Sequence, residues 1–238
     1  MIRTIIAAIF FSIVVLIYWP PLMLYALLTR SGDLLYQEGL RTFLWTYRLL
    51  GIRARAEGVE NIPAGPCLFA ANHTSNIDPA AIMSCIPRRV ALVAKKSLFS
   101  IPIVGAGFRL GEFVPIDRSN PEDALASLDQ AAAYMKRGRS FLVYPEGTRS
   151  SDGRLLRFKS GAFALAIKTG LPVVPVACAG AHRIMGKNSL RIKPGEVIVR
   201  FCQPIDAGQF RHEQRGKLSE RVREAIAAAL PPDQQPLR

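Results

Sequence analysis

Residues 67–79 read Cys67-Leu68-Phe69-Ala70-Ala71-Asn72-His73-Thr74-Ser75-Asn76-Ile77-Asp78-Pro79. The first five are an unbroken apolar run, short enough for a buried strand and too short for a helix. The next seven are mostly polar and break the run. Pro79 then suits the first turn of a helix that reads on to Ile86, because that position needs no amide donor. Strand, loop and helix in this order are the repeating unit of an α/β fold. The unit recurs in both directions. Further strands are expected at Val90–Ala94, Glu112–Ile116, Ser140–Tyr144, Val173–Ala177 and Val197–Phe201. Helices are expected at Ala124–Lys136, Gly161–Lys168 and Lys217–Leu230, the first opened by Asn120 and Pro121 and charged Glu122 and Asp123 at its positive end. The alternation implies a mixed, largely parallel sheet flanked by helices. With no internal repeat and no long linker, residues 51–230 form one domain. Residues 1–50 are set apart as a membrane-anchoring helical segment, and 231–238, rich in proline, as a frayed tail.

The composition agrees with a folded chain. Half of the 238 residues are hydrophobic and 21% are charged, which excludes a disordered protein. Lys and Arg outnumber Asp and Glu by 31 to 18, a net charge of +13 that seeks an anionic surface. Aromatics are only 8% and are not interleaved with cations, so a membrane or an acidic protein is favoured and nucleic acid is not. Cys67, Cys85, Cys178 and Cys202 stand singly in apolar stretches and read as reduced core residues.

From Thr4 to Thr29 the chain carries no charge. A helix of that length exceeds the ~30 Å hydrocarbon core at about 1.5 Å per residue. Pro20 and Pro21 interrupt it, which leaves two readings: one kinked span, or a helix that turns back at the proline pair. No small-x-small site precedes Arg30, so a cleaved signal peptide is disfavoured. Arg30, Arg41, Arg48, Arg53 and Arg55 follow the apolar run and Arg3 alone precedes it, which puts the following domain on the cytoplasmic side. Leu34–Leu50 fits a helix at the membrane interface or one packed on the domain.

There is no G-x-S-x-G elbow, dinucleotide fingerprint or metal-ligand spacing among His73, His182 and His212. What remains is placed at strand ends, where α/β sites lie. His73 and Asp78 are close enough for a tight turn to set the carboxylate on one imidazole nitrogen. That holds the tautomer and frees the other nitrogen to take a proton. A base and its orienter without an enzyme nucleophile point to a substrate hydroxyl as the attacking group. Tyr144-Pro145-Glu146-Gly147-Thr148-Arg149-Ser150 follows another strand, with a glycine turn, two hydroxyls and a planar guanidinium suited to phosphate. Arg118 closes Phe113-Val114-Pro115-Ile116-Asp117-Arg118, and Lys95 and Lys96 end a fourth strand. Singly, such a His–Asp pair is more often a structural contact and such cations are more often solvated charges. Together at strand ends they read as a site.

His73-x4-Asp78, the Pro-Ile-Asp-Arg stretch ending at Arg118, Pro145-Glu146-Gly147-Thr148-Arg149 and Leu171-Pro172-Val173-Val174-Pro175-Val176 resemble the four ordered blocks of the glycerolipid acyltransferase family, most closely bacterial 1-acylglycerol-3-phosphate acyltransferases. The resemblance runs from about Glu57 to Phe201. It implies acyl transfer from an acyl thioester to the 2-hydroxyl of lysophosphatidic acid, giving phosphatidic acid. His73 would be the general base and Asp78 its orienter. Arg149, Gly147, Thr148, Arg118 and Lys95 would meet the phosphate. Glu146 would hold its loop and pair with a nearby cation. Pro172, Val173 and Pro175 would wall the acyl chain or form a core strand. No metal or bound cofactor is implied, only acyl-coenzyme A or acyl carrier protein as co-substrate. The partners implied are membrane lipids of an anionic leaflet and acyl carrier protein, and the location is the cytoplasmic face of a bacterial inner membrane. Another lyso-lipid acceptor, such as lyso-ornithine lipid, or a non-catalytic lipid-binding module are the alternatives. Tyr144 stands where the family has Phe, a change expected to be without consequence. Deleting residues up to about Arg30 is expected to spare chemistry on a water-soluble acceptor, since every motif lies beyond Gly51.

Overall fold

A computed structural model describes residues 2–29, 31–117, 120–189 and 191–237; Arg30 and Arg118 lie outside the described residues. Seven strands form one sheet: β1 (Ile52–Glu57), β2 (Leu68–Ala71), β3 (Val90–Lys95), β4 (Val114–Ile116), β5 (Ser140–Val143), β6 (Val173–Ala179) and β7 (Gly195–Phe201). Their order is β1-β7-β6-β2-β5-β3-β4, and β6 with β7 is the one antiparallel pair. β2, β3, β5 and β6 read as continuous apolar runs because helices cover both faces of a largely parallel sheet. Phe69, Leu92, Val174 and Val199 pack under α3 (Asp33–Leu50) and α4 (Asp78–Ser84). Leu68, Phe141, Val143 and Val173 pack under α6 (Pro121–Lys136), α7 (Gly161–Thr169) and the last helix (Arg215–Ala229).

The expected strands and helices are present, with α6 capped as expected: Asn120 Oδ1 accepts from the amides of Glu122 (3.0 Å) and Asp123 (3.3 Å). The sequence reading misses β1 and α5 (Val104–Leu110). In β1, Ile52, Ala54 and Ala56 face inward while Arg53 and Arg55 face out, so an edge strand carries as many charges as apolar residues.

The N-terminal segment forms one uninterrupted helix: α1 (Ile2–Ile13), a π-helical turn at Val14–Tyr18, and α2 (Trp19–Thr29). The wider π turn, in which the Trp19 amide reaches back to the Val14 carbonyl, absorbs the register broken by Pro20 and Pro21, which have no amide hydrogen. The chain therefore does not turn back at the proline pair. It turns after Thr29, and α3 runs antiparallel to α1 and α2, with Phe10 against Trp45, Phe11 against Phe43, and Tyr18 Oη donating to Glu38 at 3.1 Å. The Leu34–Leu50 helix packs on the domain with one face, where Tyr47 Oη donates to the Ile77 carbonyl at 2.6 Å, and leaves Phe43, Leu44, Trp45 and Leu49 exposed on the other.

The C-terminal tail is docked, not frayed. Gln234 is 1% exposed; its Oε1 accepts from Gly180 N (2.9 Å), its Nε2 donates to Gly153 O (3.3 Å), and its carbonyl accepts from Leu155 N (2.9 Å). Asp233 pairs with Arg183 at 2.5 Å. Buried polar partners, invisible in a Pro-rich tail, hold it. Gln234→Ala leaves an amide and a carbonyl without partners and is expected to destabilise by about 1–3 kcal/mol. Denaturant melts read this, and an unchanged midpoint would show the tail to be a passenger.

Candidate active site

Parallel pairing sets β5 between β2 and β3, with Ala70 beside Val143 and Leu92 beside Leu142. The loops leaving these three strands therefore emerge side by side from one edge of the sheet. His73, the Glu146–Arg149 turn and Lys95 come together there although up to 76 residues separate them in sequence.

The His73–Asp78 contact is local. Asp78 opens α4, is fully buried, and its Oδ2 accepts from His73 Nδ1 (2.9 Å), Thr74 N (2.7 Å) and Ser75 N (2.8 Å). A carboxylate on Nδ1 makes that nitrogen the donor, so Nε2 carries the lone pair. The loop is pinned at both ends. Asn72 bridges to the backbone of Cys178, donating to its carbonyl (2.9 Å) and accepting from its amide (2.7 Å), and Ser75 Oγ donates to Met185 O (2.7 Å). Tyr144 stacks on the His73 ring at 4.0 Å between centroids and an interplanar angle of 20°. Tyr144 thus forms one face of the histidine's slot through its ring, a contact that a Phe at this position would also make.

The second loop packs against the first: Ser150 N donates to His73 O (2.8 Å), and His73 N to Glu146 Oε1 (3.2 Å). Gly147 has φ +72°, and a Cβ there would also come within 3.2 Å of the Lys159 side chain. Only glycine fits. Lys159, which the sequence reading does not single out, lies with its stem across this turn.

One cavity of about 1050 Å3 joins these groups to the helical hairpin. His73, Lys95, Gly147, Thr148 and Arg149 line it, and Nη1 of Arg149 is buried with no hydrogen-bond partner among the described residues. Leu40, Met83, Phe108 and Phe113 add apolar lining, together with Trp19, which is 7% exposed.

Two expected roles change. Glu146 does not line the cavity and, among the described residues, has no ion pair; it is 4% exposed and sits behind His73 as a loop brace. Burial pushes its carboxyl up to about 8, with the amides of His73 and Leu156 pulling the other way. Pro172, Val173 and Pro175 do not line the cavity either; they belong to the entry and body of β6, with Val173 in the core on the opposite face. That leaves the core-strand alternative. Arg118 lies outside the described residues.

The Glu146 carboxyl has a readable consequence. Unfolded, it titrates near 4.5. Between about 4.5 and about 8 the folded state holds the proton and the unfolded state does not, so stability falls as pH rises through that window. Glu146→Gln is expected to match wild type near pH 5 and to exceed it by roughly 3–5 kcal/mol above pH 9. Melts at both pH values measure it. Equal offsets at both would mean that the carboxyl is ionised throughout.

A protein-family profile described as acyltransferase matches residues 53–179. A 1-acyl-sn-glycerol-3-phosphate acyltransferase from Cocos nucifera is 35% identical over 98% of this chain and 76% of its own length. The chain belongs to the acyltransferase family. The 1-acyl-sn-glycerol-3-phosphate acyltransferase of Saccharomyces cerevisiae is 31% identical over 76% of the chain and 61% of its own length. The crystal structure of the 1-acyl-sn-glycerophosphate acyltransferase from Thermotoga maritima superposes with a TM-score of 0.79 at 28% identity, covering 96% of both chains. The acyltransferase fold thus includes the helical hairpin as well as the sheet, since both lie within that coverage.

Proposed function

We propose that the chain moves a fatty acyl group from a thioester of coenzyme A or acyl carrier protein to the 2-hydroxyl of 1-acylglycerol-3-phosphate, giving phosphatidic acid. The observation that carries this is one cavity whose lining brings together His73, the cations Lys95 and Arg149, and apolar side chains from the helices that cover the site. A lysophospholipid needs those three elements: a phosphate site, a base for the hydroxyl, and a hydrocarbon surface. The phosphate meets Arg149, whose buried Nη1 has no acceptor among the described residues, with Lys95 and the Gly147 turn as further donors. The acyl chain lies along Leu40, Met83, Phe108 and Phe113 toward Trp19.

His73 Nε2 takes the hydroxyl proton as the oxygen attacks the thioester carbonyl. The tetrahedral intermediate collapses, the carbon–sulfur bond breaks, and the thiolate takes the proton back from the imidazolium. Asp78 balances that transient charge from Nδ1. A thiolate leaves readily, so no separate strong acid is required.

The helix from Arg3 to Thr29 is long and apolar enough to cross a membrane, and only 17% of its apolar window is buried in the protein. Ile9, Leu16, Ile17 and Leu28 are exposed along it, and Phe43, Leu44, Trp45 and Leu49 along α3. We read this hairpin as inserted in a bilayer, with the basic domain on an anionic leaflet at the cytoplasmic side.

The test is thiol release with lysophosphatidic acid and each donor, with the product lipid identified by mass spectrometry. Equimolar phosphatidic acid and thiol are expected. Turnover restricted to lyso-ornithine lipid, or none, would overturn the acceptor assignment. Arg149→Lys replaces a fork with a point charge. Losing one charge-assisted bond should raise the acceptor KM about tenfold and leave the donor KM near its wild-type value. A rise confined to the donor would move Arg149 to the thioester.

A further inference from the structure

We propose that Cys178 is a positioning residue of the reaction, acting through Asp78. The proposal rests on the reading of His73 and Asp78 given above. Oδ2 of Asp78 serves His73 and two backbone amides, while Oδ1 points to β6. There the Cys178 Sγ approaches Oδ1 at 3.5 Å, the contact found on that oxygen among the described residues. The distance suits a thiol donor, since sulfur is larger than oxygen.

The direction of the bond follows from burial. Cys178 is fully buried, and burial pushes its thiol well above the ordinary range, with Asp78 adding to the effect. The sulfur keeps its hydrogen, and a carboxylate can only accept. Both ends of the contact are fixed. The Cys178 backbone is held by the Asn72 side chain on one side and paired with Val199 of β7 on the other. Asn72 immediately precedes His73, so the amide that anchors Cys178 also anchors the catalytic loop. The thiol therefore completes a closed circuit: Asn72 to the Cys178 backbone, Cys178 Sγ to Asp78, and Asp78 to His73 Nδ1.

Without a donor on Oδ1 the carboxylate is held by Oδ2 alone, so its plane can tilt about the Cβ–Cγ bond, and the imidazole bonded to Oδ2 shifts relative to the attacking hydroxyl. Such misplacement lowers the rate of proton transfer and leaves both substrates bound as before. Cys178 touches neither substrate, and it does not line the cavity.

The experiment compares shape-matched pairs that differ in the donor: Cys178→Ser with Cys178→Ala, and Cys178→Thr with Cys178→Val. Thermal melts accompany steady-state kinetics on lysophosphatidic acid, and His73→Ala serves as the inactive control. Ser and Thr are expected to keep kcat within about threefold of wild type, while Ala and Val lose about tenfold, the worth of a hydrogen bond to a charged group. Neither KM should move. If Ala fails to fold, the Thr–Val pair carries the comparison alone. Equal kcat within each pair, or a fall that follows side-chain size, would overturn the proposal. A fully active His73→Ala would instead remove the reading on which it rests, a distinct result.

Discussion

His73→Ala is expected to fold, to bind lysophosphatidic acid, and to transfer acyl groups roughly 10²–10⁴-fold more slowly, the usual loss on removing a general base. The fold survives because the loop is held by groups other than the imidazole. Asp78 keeps the amides of Thr74 and Ser75 and the thiol of Cys178, and the His73 backbone keeps its bonds to Glu146 and Ser150. What is lost is Nε2 and the ring stacked on Tyr144. Binding survives because the phosphate and chain contacts belong to other residues. Single-turnover rates and acceptor binding, measured on protein with a normal melt, separate the two effects. Near-normal turnover would remove His73 from the chemistry.

Deleting residues 1–30 is expected to lower activity by on the order of 10²-fold on short-chain, water-soluble acceptors as well as on vesicles, the scale of loss from a displaced site wall. This reverses the outcome the sequence suggests. Trp19 lines the catalytic cavity beside Leu35, Gly39 and Leu40 of α3, and its indole nitrogen approaches Thr42 Oγ1 at 3.4 Å. A Cβ at Gly39 or Gly107 would lie 3.7 or 3.8 Å from the Trp19 ring, so the indole seals the gap between α3 and α5. Its removal opens the apolar end of the groove and strips Phe43 and Trp45 of their partners Phe11 and Phe10. Removing a buried large aromatic alone typically costs about 3–5 kcal/mol. Two full-length variants separate wall from anchor. Trp19→Ala should lower activity on both kinds of acceptor, whereas Ser at the exposed Ile9, Leu16 and Ile17 should lower it on vesicles only, most strongly at high salt. Full activity of the deletion on a soluble acceptor would return the segment to the role of a simple tether.

The residues proposed to perform acid–base chemistry are legible because their contact is local. Five positions separate His73 from Asp78, and the turn that opens α4 brings them together whatever surrounds it. The loops at Gly147 and Lys95 are legible as strand ends for the same reason. Tyr144, Cys178 and Lys159 are not, since each meets the site from a different strand or loop and carries an ordinary apolar or surface pattern in sequence. Glu146 misleads in the other direction: its place in a polar motif suggests a solvated partner for a cation, and its burial behind His73 makes it a brace.

By itself the sequence determined which segments are strands and helices in the buried core, where α6 begins, and which side chains can exchange a proton. Those properties arise from hydrophobic runs and from hydrogen bonds a few residues long. Only the tertiary structure decided that β5 lies between β2 and β3, that the proline pair is carried through a π turn, that the tail docks on Gly153 and Gly180, and that Trp19 lines the same cavity as His73. Each of these is a contact between segments far apart in the chain. Its stability comes from apolar area and polar partners supplied by the other segment, and neither segment carries that information alone.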